Sequence, residues 1–241
     1  MNSEFTHPRW EAIWAKGLQP GQLFDALAPS PCLLKYLDGG VVNLLSRTSS
    51  QRLFFYLLDG LVPFGRALVP GCGRGYDVTA LAHDKRIVLG LDISTTAIDA
   101  ATERLQSLSD EECSSKSNAQ FSTSSFFDFT ISNDEYFDFI YDYTFLCALN
   151  PSIRETWADK MTELLRPGSG ELFTLIFPIA ESSEPLSGPP FPVSLQLLKD
   201  LLIPRGFECL ELRMLPPELC HPGRDGSDSI GASGLGRWRK I

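Results

Sequence analysis

The chain has 241 residues, of which 43% are hydrophobic and 21% charged, and this is enough to bury one substantial core. Its formal net charge of −9 at pH 7 argues against a nucleic-acid partner, because nucleic acids are bound through clustered lysine and arginine side chains. No secretory signal opens the sequence and no apolar run is long enough to span a bilayer, so neither export nor a membrane partner is expected.

The cysteines and histidines give no sign of a disulfide framework or a metal site. The six cysteines contain no Cys-x-x-Cys pair, and without an export signal they predict unpaired thiols in a reducing cytoplasm. The histidines, His7, His83 and His221, lie far apart in the chain, so no resident metal is expected. His221 stands beside a proline in a predicted loop, where a solvent-exposed side chain is the simpler expectation.

The N-terminal residues predict a helical cap over 1–60. Residues 7–16 favour a short helix, because a proline suits its first turn and a glycine follows its end. Trp10 and Trp14 are four residues apart and share one face of this helix. The rest of the cap is predicted as a loop and two helices, at 18–31, 31–46 and 50–60.

A glycine-rich turn follows the first strand of the predicted sheet. The apolar run at 66–70 predicts a buried strand, and helix-forming residues at 75–83 come soon after it. Between them a Gly-x-Gly-x-Gly pattern is formed by Gly71, Gly73 and Gly75. Glycines at such a turn let backbone N–H groups approach a ligand closely, where side chains would intrude.

The next predicted strand ends in an acid that completes an adenosine site. The apolar run at 86–92 ends at Asp92, and an acid in this position of a doubly wound fold accepts hydrogen bonds from ribose hydroxyls. A dinucleotide fingerprint needs a glycine where this chain has Tyr76, so a dehydrogenase is not expected. The Gly-x-Gly-x-Gly form resembles that of S-adenosylmethionine-dependent methyltransferases and predicts S-adenosylmethionine as the cofactor.

Strands and helices alternate through the rest of the chain. Further strands are predicted at 119–123, 137–142, 171–177, 206–214 and 234–240, and further helices at 94–107, 152–165 and 193–203. The alternation predicts an α/β fold in one domain, with a core at 61–241 built on a mostly parallel seven-stranded sheet and helices on both faces. Ligands of such sheets bind at the carboxyl ends of the strands. The loops selected by this rule are 70–76, 92–94, 124–129 and 142–147.

Nearly the whole sequence resembles the thiopurine methyltransferase-like superfamily, and within it the plant and fungal thiol and halide methyltransferases. The matching stretches include Trp10-x-x-x-Trp14, Phe24-Asp25, residues 67–77 and 88–94, Ser125-Phe-Phe127, residues 137–143, and Leu235-Gly-Arg-Trp238. The resemblance implies a Rossmann-like class I methyltransferase sandwich. It also implies an S-adenosylmethionine-dependent enzyme that acts on a small molecule.

The resemblance further implies which residues bind the cofactor. These are Trp10, Trp14, Phe24, Gly71, Gly73, Asp92, Ser125, Phe126 and Tyr143. Phe24 stands where relatives carry tryptophan, so it can stack on the cofactor but lacks the indole N–H. Tyr143 occupies a position that is Tyr in the thiol and halide branch and Arg in the thiopurine enzymes, which favours the former. From the residues alone, the two cap tryptophans would first be interpreted as a helix face docked on the core.

Methyl transfer to the sulfur of a thiol is the expected reaction, and methylation of thiocyanate or of a halide ion is the nearest variation. A thiol is partly ionised at neutral pH and a halide needs no deprotonation, whereas a phenol, an alcohol or a protonated amine needs a base. The candidate bases are Asp25, Asp142, Tyr143 and His221, and no Ser-His-Asp arrangement or carboxylate pair is apparent. Methyl transfer from a sulfonium needs mainly positioning and exclusion of water.

Two alternatives remain open at this point. The first is O- or N-methylation of a specialised metabolite, which the loops at 18–31, 178–192 and 215–233 would decide. The second is a cofactor-binding module without catalysis, which only the replacement of a tryptophan by Phe24 suggests. The oligomeric state is open as well, with a monomer as the starting assumption.

Overall fold

The computed structural model describes residues 8–38, 62–132, 134–179, 188–227 and 231–241. In these ranges the α-helices are α1 (Pro8–Ala15), α2 (Pro31–Leu37), α3 (Tyr76–Leu81), α4 (Thr95–Ser107), α5 (Arg154–Leu164) and α6 (Leu195–Leu202). The strands are β1 (Gly65–Pro70), β2 (Arg86–Asp92), β3 (Ala119–Thr123), β4 (Phe139–Tyr143), β5 (Glu171–Ile179), β6 (Phe207–Met214) and β7 (Ala232–Lys240).

The strands form one seven-stranded sheet in the order β3-β2-β1-β4-β5-β7-β6. Every neighbouring pair from β3 to β5 is parallel, and β7 runs antiparallel to β5 and β6. The predicted mostly parallel seven-stranded sheet is therefore confirmed. The strand order reverses between β1 and β4, and ligands of doubly wound sheets bind beyond the carboxyl ends of the strands at such a point.

Helices pack on both faces of the sheet. Successive residues of a strand point to opposite faces, so neighbouring residues of one strand belong to different cores. Ile140 of β4 packs in a core with Trp157 of α5. Its neighbours Phe139 and Tyr141 pack in a second core with Leu33 of α2. The strand β5 is buried along nearly its whole length, as expected for a strand covered on both faces.

Serine side chains cap the starts of three helices. Ser94 Oγ accepts a hydrogen bond from Ala97 N at the start of α4, and Ser194 Oγ accepts one from Leu197 N at the start of α6. Ser30 Oγ accepts a hydrogen bond from Leu33 N at the start of α2, whose first residue is a proline. Such a cap satisfies a backbone N–H that has no partner within the helix. These local signals place the helix starts close to where the sequence predicts them.

The predicted elements differ from the structure mainly at their ends. The strand predicted at 137–142 begins at Phe139, because Phe137 forms only an isolated bridge with Leu165. The helix predicted at 152–165 begins as α5 at 154, after a 3₁₀ turn in which the Asn150 side chain accepts from Ser152 N. The helix predicted at 50–60, and the part of the 31–46 helix beyond residue 38, lie outside the described residues.

All six cysteines lie in the described ranges and carry free thiols. In the same ranges, no three His, Cys, Asp or Glu side chains are grouped so that they could hold a metal ion. None of the described helices has the length and apolar composition that a bilayer crossing requires.

Candidate active site

The turn between β1 and α3 has backbone conformations that need glycine. Gly71, Gly73 and Gly75 have φ angles of +61°, +51° and +74°, in the left-handed region that residues with a Cβ rarely adopt. A Cβ on Gly71 would lie 2.6 Å from the ring of Phe145, and one on Gly75 would lie 2.5 Å from the ring of Phe121. The rings of Phe145 and Phe121 therefore occupy the space that side chains at Gly71 and Gly75 would need, and of the three glycines Gly71 is exposed and Gly75 buried.

Asp92 is the last residue of β2, and only 9% of its surface is exposed. Its Oδ2 accepts a hydrogen bond from Gly73 N at 2.9 Å, and its Oδ1 accepts one from Ser94 N at 3.0 Å. Burial raises the pKa of Asp92, although these two hydrogen bonds act in the opposite direction. A carboxylate oxygen has two lone pairs, so Asp92 retains the capacity to accept a ribose hydroxyl.

Ser125 and Phe126 lie beyond the end of β3. The Oγ of Ser125 is buried and has no hydrogen-bond partner among the described residues. The ring of Phe126 is buried and packs edge-on against Phe145, with centroids 5.1 Å apart. Phe127 packs against the core that contains Trp157 of α5. A buried polar atom without a protein partner is costly unless a ligand or water satisfies it.

The aromatic residues of the cap meet above the glycine turn. Trp14 is buried and Trp10 is half-buried. The ring of Phe24 packs edge-on against both, with centroid distances of 5.4 Å to Trp10 and 5.9 Å to Trp14. The Trp14 ring lies 3.4 Å from the place where a Cβ on Gly73 would be. The structure therefore brings the three predicted cap residues together over the turn.

These features fit S-adenosylmethionine, the cofactor that the sequence predicts. The glycines of the turn carry no side chains that would block a ligand from the backbone N–H groups. Asp92 ends β2 at the position from which an acid hydrogen-bonds the ribose in doubly wound folds. The unpartnered Ser125 Oγ, next to an aromatic ring, suits the polar edge of an adenine. Contact between each of these residues and the cofactor stays a prediction.

Tyr143, the last residue of β4, is joined to Arg224. Its hydroxyl oxygen accepts a hydrogen bond from Arg224 Nη1 at 2.8 Å. The guanidinium carbon lies 5.3 Å from the ring centroid of Tyr143 and 5.1 Å from that of Phe177. Burial raises the pKa of Tyr143 well above its ordinary value, so the hydroxyl is protonated at neutral pH. Arg224 Nη2 also donates to the carbonyl oxygen of Phe24 at 3.2 Å, so one side chain connects the cap with β4.

The chain turns sharply after Tyr143. Thr144 has a φ angle of +62°, and the left-handed region is strained for a β-branched residue by an amount on the order of 1–3 kcal/mol. Its Oγ1 donates to the carbonyl oxygen of Tyr143 at 2.7 Å. Tyr143, before the turn, contacts Arg224, and Phe145, after it, packs against Gly71. Strain of this kind is concentrated at functional sites.

The expectation that His221 is exposed is wrong. Only 6% of its surface is accessible, and its ring stacks on Tyr143 with centroids 5.6 Å apart and planes inclined by 8°. Burial, together with the charge of Arg224, lowers the pKa of His221 to about 4. The imidazole is therefore neutral at pH 7 and is a weak base.

The two candidate carboxylate bases are both engaged. Asp25 Oδ2 accepts from Arg74 Nε at 2.8 Å; burial raises its pKa, but the hydrogen bond from Arg74 and two backbone hydrogen bonds outweigh burial and lower it. Asp142 points to the opposite face of β4 from Tyr143 and accepts from Trp157 Nε1 at 2.9 Å. Burial raises the pKa of Asp142 to about 6. Each carboxylate thus holds protein groups in place.

Two arginines of this site were not anticipated from the sequence. Arg224 lies in the predicted loop at 215–233, and its neighbours gave no sign of contacts with β4 and the cap. Arg74 lies inside the glycine pattern itself, where a charged residue between two glycines could have been noticed as a side chain that must leave the turn. Its Nη2 donates to Leu18 O at 2.8 Å.

The family model for thiopurine S-methyltransferase (TPMT) matches residues 47–218 of this chain. The matched range contains the glycine turn, Asp92, Ser125 and Tyr143. The cap aromatic residues precede it, and Arg224 follows it.

Individual relatives extend the likeness to both ends of the chain. Probable thiol methyltransferase 2 of Arabidopsis thaliana is 38% identical over 240 residues, covering 100% of this chain and 88% of the relative. Thiocyanate methyltransferase 1 of Arabidopsis thaliana is 36% identical over 232 residues, covering 96% of this chain and 84% of the relative. Among solved structures, magnesium protoporphyrin IX methyltransferase of Synechocystis PCC 6803 with bound S-adenosylmethionine covers 97% of this chain and 90% of its own, with a TM-score of 0.56 and 15% identity. At that identity the structural likeness supports the fold alone.

Proposed function

Since this chain belongs to the thiopurine S-methyltransferase family and is an S-adenosylmethionine-dependent methyltransferase, we propose that it methylates the sulfur of a small anionic acceptor. The acceptor is a thiolate or thiocyanate. A halide ion, which would receive the methyl group directly, is the alternative anionic acceptor. The observation that carries this proposal is the guanidinium of Arg224, held between the rings of Tyr143 and Phe177. The names of the two Arabidopsis relatives support the same acceptor class.

The cofactor site that we propose combines the glycine turn with the cap. Gly71 and Gly73 give the cofactor access to backbone, and Asp92 accepts hydrogen bonds from its ribose. Ser125 and Phe126 flank its adenine, and Trp10, Trp14 and Phe24 cover it, with Tyr143 at its reactive end. When bound, S-adenosylmethionine supplies an electrophilic methyl group on a sulfonium. Aromatic faces attract a cation by about 0.5–2 kcal/mol, and they keep water away.

The acceptor pocket that we propose lies between Tyr143, His221 and Arg224. A guanidinium has five N–H donors, and the hydrogen bonds to Tyr143 and to the cap carbonyl use two of them. The protonated hydroxyl of Tyr143 is a further donor. The guanidinium of Arg224 is half-buried beside the rings of Tyr143 and Phe177. There its positive charge stabilises a bound anion more strongly than it would in bulk water.

The surroundings of the pocket favour an acceptor that needs no general base. A thiol with a pKa near 8.5 is a few per cent ionised at pH 7, and a nearby arginine increases that fraction. Asp25 and Asp142 are occupied by protein donors, and His221 is too weak a base to deprotonate a phenol. These features make O- or N-methylation the less favoured alternative. Phe24 packs against both cap tryptophans, so its replacement of a tryptophan does not support a module without catalysis.

Further expectations concern the whole protein. We place it in the cytoplasm, which its six unpaired thiols favour. We expect one domain over 1–241, with a cap at 1–60 on a core at 61–241. A monomer remains the starting assumption.

Replacing Arg224 tests the acceptor pocket. Arg224→Gln removes the charge, and we expect kcat/KM for thiocyanate to fall by about 100-fold, because a hydrogen bond to a charged group contributes roughly 1.5–3 kcal/mol. Arg224→Lys retains the charge but not the planar fork, and we expect a fall of roughly tenfold. The measurement is initial rate against thiocyanate concentration at saturating S-adenosylmethionine.

Arg205→Gln is the control, because Arg205 also makes directed side-chain hydrogen bonds, but to Asp159 of α5 and to Leu201 O rather than to residues of the proposed pocket. We expect this variant to keep the kinetics of the parent protein. A kcat/KM for thiocyanate within twofold of the parent value in Arg224→Gln would contradict the proposed pocket.

A further inference from the structure

Arg74 lies between Gly73 and Gly75 in the cofactor turn, and its side chain contacts the cap. Its Nε donates to Asp25 Oδ2 at 2.8 Å, and its Nη2 donates to Leu18 O at 2.8 Å. Its guanidinium carbon lies 5.2 Å from the ring centroid of Trp14. One residue of the turn therefore contacts the cap in three places.

Asp25, the partner of Arg74, organises the loop that follows α1. Its side chain is only 2% exposed. While Oδ2 is bound to Arg74, Oδ1 accepts from Gly21 N at 3.2 Å and from Leu27 N at 3.0 Å. Phe24 lies in this loop, immediately before Asp25, and packs against the cap tryptophans. The ion pair thus connects the conformation of this loop with the glycine turn.

The cap has a separate attachment at α1. The carboxylate of Glu11 accepts hydrogen bonds from Ser94 Oγ and Thr96 Oγ1, both at 2.6 Å, at the start of α4. This attachment holds the helix but does not reach the loop at 17–28. Tyr76, directly after the glycine turn, also has a side-chain hydrogen bond with Asp25. Among the described residues, Arg74 adds to this contact an ion pair with Asp25 and a hydrogen bond to Leu18 O.

We propose that Arg74 is a positioning residue for S-adenosylmethionine: it acts through Asp25 and Leu18 to hold Trp14 and Phe24 over the cofactor. The proposal rests on the cofactor position given under the proposed function. Without the guanidinium, Asp25 is left as a buried carboxylate without its cation, which is a strongly unfavourable state. The loop then leaves its position, and part of the cofactor binding energy is used to restore it.

The first test measures binding of S-adenosylhomocysteine by calorimetry. We expect Arg74→Gln to raise the dissociation constant at least tenfold and Arg74→Lys, which keeps the charge but not both directed hydrogen bonds, to give an intermediate value. In kinetics, the KM for S-adenosylmethionine is expected to rise more than kcat falls, because a group that acts on ground-state binding changes KM. Arg205→Gln, which removes an arginine paired with the exposed Asp159 of α5, is expected to bind like the parent protein.

The second test reads the cap in the protein without ligand. Of the four tryptophans, Trp157 and Trp238 are completely buried, so acrylamide quenching of tryptophan fluorescence reports mainly on Trp10 and Trp14. We expect the quenching constant of Arg74→Gln to exceed that of the parent protein by half or more. Should this variant fail to fold, the same measurements are made on Asp25→Asn. This substitution keeps the side-chain shape and removes the charge.

A third variant separates this proposal from the one on which it rests. If Asp92→Asn weakens binding of S-adenosylhomocysteine but Arg74→Gln binds it within twofold of the parent protein with unchanged quenching, the role of Arg74 is refuted and the cofactor site stands. If Asp92→Asn also binds like the parent protein, the proposed cofactor position fails, and the role of Arg74 fails with it.

Discussion

At the scale of single residues, burial keeps three titratable groups of the site neutral over part of the pH range where they would ordinarily be charged. Burial lowers the pKa of His221 to about 4, raises that of Asp142 to about 6, and raises that of Tyr143 well above its ordinary value. Asp25 differs, because Arg74 and two backbone N–H groups stabilise its charge. The residue types were recognisable in the sequence, but the partners that set their ionisation were not.

The buried His221 predicts a loss of stability in mild acid. Its ordinary pKa of 6.5 applies to the unfolded chain, and the folded value is about 4. As the pH falls from 7 to 4.5, the unfolded state takes up a proton that the folded state does not, and this favours unfolding. We expect the unfolding free energy of the parent protein to fall by about 2–3 kcal/mol more than that of His221→Gln over this interval. Urea unfolding at both pH values measures the difference, and equal losses would contradict the burial of a neutral imidazole.

At the scale of secondary-structure elements, Asp142 joins the end of β4 to α5. Its two oxygens accept from Trp157 Nε1 at 2.9 Å and from Leu146 N at 3.1 Å, and both donors belong to buried residues. This explains why a carboxylate tolerates almost complete burial. The hydrogen bond from Leu146 N spans the turn through Thr144 that follows Tyr143.

Removing this carboxylate is expected to destabilise the fold. Asp142→Ala leaves two buried N–H groups without an acceptor, and at roughly 1–3 kcal/mol each we expect a loss of about 2–6 kcal/mol. Asp142→Asn keeps one acceptor oxygen and removes a buried charge, so we expect it to lose less. Asp128→Ala, at an exposed position, serves as the control and should stay within about 0.5 kcal/mol of the parent protein. Denaturant unfolding measures all three, and an Asp142→Ala loss no greater than that of the control would show that these bonds contribute little.

The elements themselves were largely predictable from the sequence. The glycine turn and the acid that ends β2 follow a local pattern that the backbone geometry requires, and serine caps mark several helix starts. Element ends were less predictable, since β4 begins only after Phe137 has formed a bridge to Leu165. That bridge depends on a residue distant in sequence, which no local pattern contains.

At the scale of the whole molecule, two arginines distant in sequence attach adjacent residues of the cap to the rest of the fold. Arg74 meets Asp25 across 49 positions in sequence, and Arg224 meets Phe24 across 200. Composition and periodicity carry no information on such pairings, because they arise only when the chain is folded. The fold and the cofactor were therefore predictable, whereas the groups that close the site became visible only in three dimensions.

The central claim is that this methyltransferase transfers its methyl group to sulfur. The most direct measurement uses 4-mercaptophenol, which carries a thiol and a hydroxyl on one ring, with S-adenosylmethionine labelled with carbon-13 in its methyl group. The chemical shift of the labelled methyl group identifies the atom that received it. We predict 4-(methylthio)phenol as the product, formed at a rate that falls in Arg224→Gln. Formation of the O-methyl product, or no transfer to either this compound or thiocyanate, would contradict the claim.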